Sequence, residues 1–397
     1  MIFAEADLPQ ATIDKAVGPD YGFGLYMHWP YCSKICPYCD FNVYAAKDRD
    51  STPLLNAILD DIRAHKSVLS EHPPLTSIFL GGGTPSLLKP HEIEQIVEAS
   101  IRTFGLVDGG EVTIEVNPDH VATSDLKGWS VAGINRVSLG VQALDDVALS
   151  FLGRTHSVSD AKNAVKAVER HFENFSCDLI YARPGQSLNE WKTELAATLR
   201  LGAPHLSLYE LTIEERTAFG KRAARGEILP LDDDAQADLY ELTQDICDAA
   251  GLPAYEVSNH ALSEAFESQH NHIYWANGDW IGVGPGAHGR LTYNGVRFRT
   301  EATRRPADYI LGPMQKREKL SSIDVARELI PMGLRPRGGL DLNRLYNLGF
   351  ARLSVDDLAP LIQAELMRVS NETVSLTPAG RLMADGIAKH IAKGMNI

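Results

Sequence analysis

The chain has 397 residues, 44% of them hydrophobic and 23% charged, with a formal net charge of −14. That length suits one large domain and a smaller one. The acidic excess argues against a broad nucleic-acid surface, which needs clustered Lys and Arg, and no apolar run approaches the ~20 residues of a membrane span.

The opening MIFAEADLPQATIDK shows no basic stretch followed by an apolar core, so no signal peptide is expected, and residues 1–20 read as a mobile leader. A first strand is expected at FGLYMHW, from Phe23. Directly after it, YCSKICPYCDFN places Cys32, Cys36 and Cys39 close together in a chain with five cysteines in all. An odd thiol count without an export signal points to a reducing compartment, where clustered thiols read as metal ligands and not as disulfide partners. Three thiolates on one tight loop can hold three irons of a cubane 4Fe–4S cluster and leave the fourth iron open to a substrate. The alternatives are three unrelated buried thiols, or a zinc knuckle completed by a histidine such as His28.

Further strands are expected at SIFLGG (from Ser77), VTIEV (from Val112), RVSLGV (from Arg136), CDLIYA (from Cys177) and HLSLYEL (from His205). Amphipathic stretches lie between them, among them PLLNAILDDIRAHKSVL, PHEIEQIVEASIRTF and SDAKNAVKAVERHF. Thr123–Ser124 and Ser159–Asp160 read as helix N-caps, and Gly105, Gly133 and Gly202 as stops. Six strand–helix units over residues 21–250 predict a parallel α/β sheet, whose chemistry gathers at the C-terminal ends of the strands. GGGTPS, NPD, Gln142 and RPGQ fall there. Glu115 ends an otherwise apolar strand and needs a partner; Tyr26 is the expected one. After Leu211, LDDDAQADLYELTQDICDAAG reads as one acidic-headed helix. Residues 251–304 are polar and aromatic, and 305–397 read as helical, with VSLTPAGRLMADGIAKHI as part of a winged-helix-like module.

YMHWPYCSKICPYCDFN, followed in order by GGGTPS, EVNPD, GINRVSLGVQ, LGRTHS, DLIYARPGQ, HLSLYELTIEERTAF, HNHIYW and GVGPGAHGR, resembles the radical S-adenosylmethionine proteins. Within them it is similar to the branch that holds oxygen-independent coproporphyrinogen III oxidase and the haem chaperones. The resemblance runs from about Tyr21 to near the C-terminus. It implies an α/β fold, an open (β/α)6 partial TIM barrel, with a smaller, mainly helical, winged-helix-like C-terminal domain. It implies a 4Fe–4S cluster on Cys32, Cys36 and Cys39, and S-adenosylmethionine as cofactor. Tyr38 would then lie beside the adenine, the alternative being a plain core aromatic. Gly82, Gly83 and Thr84 would meet the methionine amine and carboxylate. Glu115, with Tyr26, would contact the same ligand, against a salt-bridged structural Glu. Gln142, Arg154 and Asp178 match positions that hold a second S-adenosylmethionine in the oxidase; structural ion pairs are the other reading.

HNHIYW, His270 to Trp275, matches a motif of the chaperone branch. Neutral imidazole is a good axial ligand for haem iron, so His270 is a haem candidate and His272 a second one, against a hydrogen-bonded structural histidine. His288 is expected to line the site or to support it. Arg183 stands where the family carries a small or aliphatic residue, and Phe41 where the oxidase carries a fourth cysteine. Phe41 and HNHIYW favour a haem chaperone that passes haem to a recipient protein, with an electron donor as a further partner, no nucleic acid, and a cytoplasmic setting. The recipient is left open, with room for a membrane-associated one. The other reading is the oxidase itself, which decarboxylates two propionates of coproporphyrinogen III.

Overall fold

The computed structural model describes residues 12–46, 50–69, 71–122, 124–313, 315–353 and 355–397, with Val355 by its backbone alone. Six parallel strands form where the β-branched, apolar runs predict them: β1 Phe23–Trp29, β2 Leu75–Gly82, β3 Leu106–Val116, β4 Arg136–Gln142, β5 Asn174–Tyr181 and β6 His205–Glu210. Helices alternate with them: α1 Thr52–His65, α2 Pro90–Phe104, α3 Leu126–Val131, α4 Val158–Glu169 and α5 Leu188–Leu199, and the acidic-headed α6 Asp233–Ala249 follows β6. Gly105 stops α2 at φ 79°, in the left-handed region open to glycine.

Two of the expected caps sit elsewhere. Ser157, not Ser159, caps α4; its hydroxyl accepts from Asp160 N–H, and Asp160 accepts from Ser157 N–H at 2.8 Å, a reciprocal box. Asp125 caps α3 by accepting from Gly128 N–H at 2.8 Å. Ser124 instead donates to the His120 carbonyl, and Thr123 lies outside the described residues.

The sheet is larger than six strands. Asn259–Ala261 (β7) adds antiparallel to β6, and Asp279–Val283 (β8) adds parallel to β1. His288–Tyr293 (β9), Val296–Ala302 (β10) and Gln315–Lys319 (β11) continue outward, antiparallel. The result is one open eleven-stranded sheet, with β11 and β7 at its two edges. Residues 251–304 are therefore built into both sides of the main sheet, and β11 belongs to that sheet although it falls in the stretch expected to be helical. Beyond it, Ser322–Leu334, Val355–Gln363 and Ala384–Gly394 are helices around a small antiparallel sheet. This unit has its own apolar core, including Leu329, Leu345, Val374 and Ile391. The expected leader lies outside the described residues up to position 11. From Thr12 it is packed, because Ala16 and Val17 are buried in the C-terminal core and Arg344 donates to the Ala16 carbonyl.

The alternation of the strands decides what happens inside. Leu25, Met27, Ile78, Leu80, Val137, Leu139, Leu179, Leu206 and Leu208 belong to the main hydrophobic core. Barrel interiors are usually filled by bulky branched side chains. Here the alternating positions on β4 are Arg136, Ser138, Gly140 and Gln142, and on β6 His205, Ser207 and Tyr209, and all of them line a cavity of about 760 Å³. Small and polar residues at these positions keep the interior hollow.

Candidate functional site

The cysteine loop leaves β1 at the C-terminal end of the sheet. Tyr31–Cys32 pairs with Tyr44–Ala45, which closes the loop on itself. Asn42 pins it to the segments that follow β8 and β10, donating to the Pro285 and Arg304 carbonyls at 2.9 Å each. His28 donates from Nε2 to the Asn42 carbonyl and accepts at Nδ1 from Tyr26 Oη, at 3.0 Å each. All three thiols are free and face the cavity, Cys32 buried and Cys36 and Cys39 half-buried. Burial is the largest cause that raises the Cys32 and Cys39 pKa values, the latter to about 11.

Gly83 is a close approach and not a flexible joint. A Cβ there would sit 2.7 Å from the Tyr31 carbonyl oxygen and 2.8 Å from that of Trp29. Gly82, at φ 105°, leaves its N–H to donate to Glu115 Oε2 at 2.8 Å. Burial pushes the Glu115 carboxyl up to about 7, and the Gly82 N–H pulls it back in part. Glu115 is therefore held by a backbone N–H. Tyr26, its expected partner, gives its hydroxyl to His28 instead.

Arg154 reaches the loop from the segment after β4. It donates to Cys36 Sγ at 3.3 Å and also to Asn117 Oδ1, within the NPD turn. Gln142 holds φ at 64°, in the left-handed region, where the β4–β5 register also slips. Non-glycine residues in that region are costly and gather at working sites. Asp178 accepts from Ser138 Oγ at 2.6 Å and Ser176 Oγ at 2.8 Å, and burial is the first cause that raises its pKa. Tyr38 stands on the cavity wall, 6.3 Å from the Phe219 ring.

The HNHIYW stretch forms a short helix, α7 Gln269–Trp275, which closes the cavity from the N-terminal ends of β1 and β2. Glu111 accepts from the Gln269 and His270 N–H groups and anchors its start. His270 is 1% exposed. Its Nδ1 meets Ser77 Oγ and its Nε2 meets Tyr274 Oη, both at 2.7 Å, and its ring stacks on Phe79. His272 lies on the outer face, its side chain 43% exposed and paired with Glu267 at 2.7 Å. His288 is exposed and does not line the cavity.

One cavity thus brings together Cys32, Cys36 and Cys39 with Tyr26, Tyr38, Gly82, Gly83, Thr84, Glu115, Gln142, Arg154, Asp178 and His270. Phe41, 58% exposed, stands at its rim. The motifs do not single out Arg136, His205 and Ser207, yet these line the same space deeper in the sheet. Among the described residues no three His, Cys, Asp or Glu side chains converge on a single-ion position. The donor set fits a cluster in which each thiol holds a different iron.

The Radical SAM superfamily matches residues 26–196, and the HemN C-terminal domain matches residues 320–383. The chain is 34% identical to the mitochondrial "Radical S-adenosyl methionine domain-containing protein 1" of Dictyostelium discoideum, over 94% of this chain and 95% of that protein. It is 33% identical to "Heme chaperone HemW" of Lactococcus lactis, over 89% and 93%, and 39% identical to that of Escherichia coli, over 72% and 75%. The solved structure of coproporphyrinogen III oxidase (HemN) from Escherichia coli superposes with a TM-score of 0.75, covering 95% of this chain and 91% of that one; at 19% identity this likeness speaks to fold. The chain belongs to the radical SAM superfamily, in the family that includes these HemW relatives.

Proposed function

We propose that this radical SAM protein is a haem chaperone. It binds haem, a 4Fe–4S cluster and S-adenosylmethionine, and hands haem to a recipient protein. The observation that carries the cofactor part is the convergence of the three thiols, the Gly82–Thr84 turn and Glu115 on one cavity. Kinship to proteins named as haem chaperones supports the haem part, as does Phe41 in place of the oxidase's fourth cysteine.

Cys32, Cys36 and Cys39 would each hold one iron. When bound, such a cluster supplies an electron at low potential. Gly82, Gly83 and Thr84 offer close backbone to the methionine amine and carboxylate. Glu115 would receive the ammonium, and Tyr38 would flank the adenine. Arg154 keeps a cation beside Cys36, and with Gln142 and Asp178 it lines the space where a second S-adenosylmethionine would sit. An electron donor and a reducing compartment, the cytoplasm in this proposal, complete the picture. No helix among the described residues is long and apolar enough to cross a membrane.

Energetics directs the haem ligand to one of the two histidines. Freeing His270 breaks two hydrogen bonds in a buried setting, each leaving a polar group that costs about 1–3 kcal/mol unpaired. Freeing His272 parts one partly exposed pair with Glu267, on the scale of about 0–1 kcal/mol, and a ring contact with Tyr255. We therefore propose His272 as the axial ligand, with His270 holding α7 in place.

The test uses anaerobically purified, cluster-reconstituted protein in two parallel assays. Stoichiometric haem binding, weakened by His272→Ala more than by His270→Ala, without protoporphyrinogen formation, is the expected result. Sustained turnover of coproporphyrinogen III overturns the chaperone reading in favour of the oxidase. Haem loss confined to His270→Ala overturns the ligand choice alone.

A further inference from the structure

Away from the cysteine loop the cavity carries a buried cation, Arg136, whose charge also favours the Asp178 carboxylate. Arg136 opens β4 and is 2% exposed. It lies six residues before Gln142, about 20 Å away along the strand, and two residues, about 7 Å, below Ser138. Ser138 pairs in register with Glu115, so Arg136 sits one layer deeper than the carboxylate expected to meet S-adenosylmethionine. Its Nε has no hydrogen-bond partner among the described residues. It forms a buried ion pair with Glu111, whose oxygen is 3.6 Å away and beyond hydrogen-bond reach. Glu111 is already engaged at the start of α7, where Ser268 Oγ and the N–H groups of Gln269 and His270 donate to it.

His205 faces the cavity from the start of β6, in register with Ser176, and is 1% exposed. Its hydrogen-bond chain sets its tautomer. Ser268 N–H donates to Tyr255 Oη at 3.2 Å. That buried hydroxyl must place its own hydrogen, and His205 Nε2 lies 2.9 Å away to accept it. Nδ1 then carries the ring proton, and it too has no partner among the described residues. Burial holds the ring well below its ordinary pKa, so it stays neutral. Ser207, two residues on and nearly buried, lines the same wall, but its hydroxyl is already hydrogen-bonded to Asp178.

Two donors without a hydrogen-bond partner among the described residues, Arg136 Nε and His205 Nδ1, one of them on a cation, therefore lie on the wall of the cavity. Buried donors and charges are normally partnered, and the planar fork of a guanidinium matches the two oxygens of a carboxylate. We propose that this wall is a binding site for a small carboxylate, gripped by Arg136 and oriented by His205 Nδ1–H. The site is separate from the cysteine loop and does not depend on the haem reading.

The test titrates the full chain with sodium propionate at constant ionic strength and follows thermal stability, with propionamide as the uncharged counterpart. Saturable stabilisation by propionate and none by propionamide is expected. Arg136→Gln should weaken it roughly tenfold or more, the scale of one charge-assisted hydrogen bond. Because that change also strips Glu111 of its neighbour, His205→Gln provides a second variant; its amide oxygen can still accept from Tyr255, it leaves the Arg136–Glu111 pair in place, and by removing the Nδ1–H donor it should weaken the response as well. Equal responses to propionate and propionamide overturn the site. So does a crystal structure in excess propionate that shows only ordered water on Arg136 and His205 Nδ1.

Discussion

Glu115→Gln separates the charge of the central carboxylate from its shape. Glutamine keeps an oxygen that accepts the Gly82 N–H, 2.8 Å from Glu115 Oε2, but cannot ionise. Burial pushes the Glu115 carboxyl up from 4.5 to about 7. At about 1.4 kcal/mol per tenfold change in proton affinity, that gap is near 3 kcal/mol. The sign follows from linkage. The folded state holds this proton more tightly than the unfolded chain does, so its stabilising share is complete below about pH 4.5 and is lost as pH rises through about 7. The ligand-free wild type and Glu115→Gln should melt together near the low end of that window, and the variant should be the more stable above about pH 8. For 397 residues, an unfolding entropy of about 2.1 cal/mol/K per residue turns ~3 kcal/mol into a shift of about 4 °C. Paired thermal melts at matched ionic strength measure it. S-adenosylmethionine should narrow the gap, because an ammonium beside Glu115 favours the carboxylate. A variant that is less stable at high pH, or an equal gap at both ends of the window, refutes the reasoning.

Gly83→Ala should cost about 1–3 kcal/mol through overpacking, because its Cβ meets two backbone carbonyls that cannot swing away, those of Tyr31 and Trp29. It should also lower iron content after reconstitution; unchanged iron and an unchanged urea midpoint would contradict this. Arg183→Leu, toward the family's usual residue, should destabilise by about 3–5 kcal/mol, since it leaves Glu194 buried without its cation. Adding Glu194→Gln should recover part of the loss in the same urea melts, and failure to recover any would show that the pair is not the cause.

Strands bounded by apolar, β-branched runs were legible because packing and propensity agree there; FGLYMHW and PHEIEQIVEASIRTF form the elements expected of them, residue for residue. Arg183 looked like a departure in isolation, and its partner Glu194 lies eleven residues on, one side of a buried pair that only the turn between β5 and α5 brings together. The outer strands were not legible for a different reason. QKREK in β11 has no apolar face to betray it, being an edge strand held by its ladder to β10 and dressed in charge. The same holds for Asn259–Ala261, three residues that are a strand only because β6 lies beside them.

The site divides along similar lines. Glycine turns, cysteines and lone carboxylates at strand ends announce themselves, because each breaks the local pattern for a chemical reason. Arg136, His205 and Ser207 break no pattern. They are the polar half of the strict alternations R-V-S-L-G-V-Q and H-L-S-L-Y-E, which in most sheets would mark a solvated face. In this sheet both faces are covered, the apolar half packing against helices and the polar half enclosed. A polar half in a sheet predicted to be parallel and doubly covered is therefore a cavity wall and not a surface. Read that way, the alternation in RVSLGVQ alone places Arg136 inside, on the same face as Gln142 and at the opposite end of the space from the cysteines.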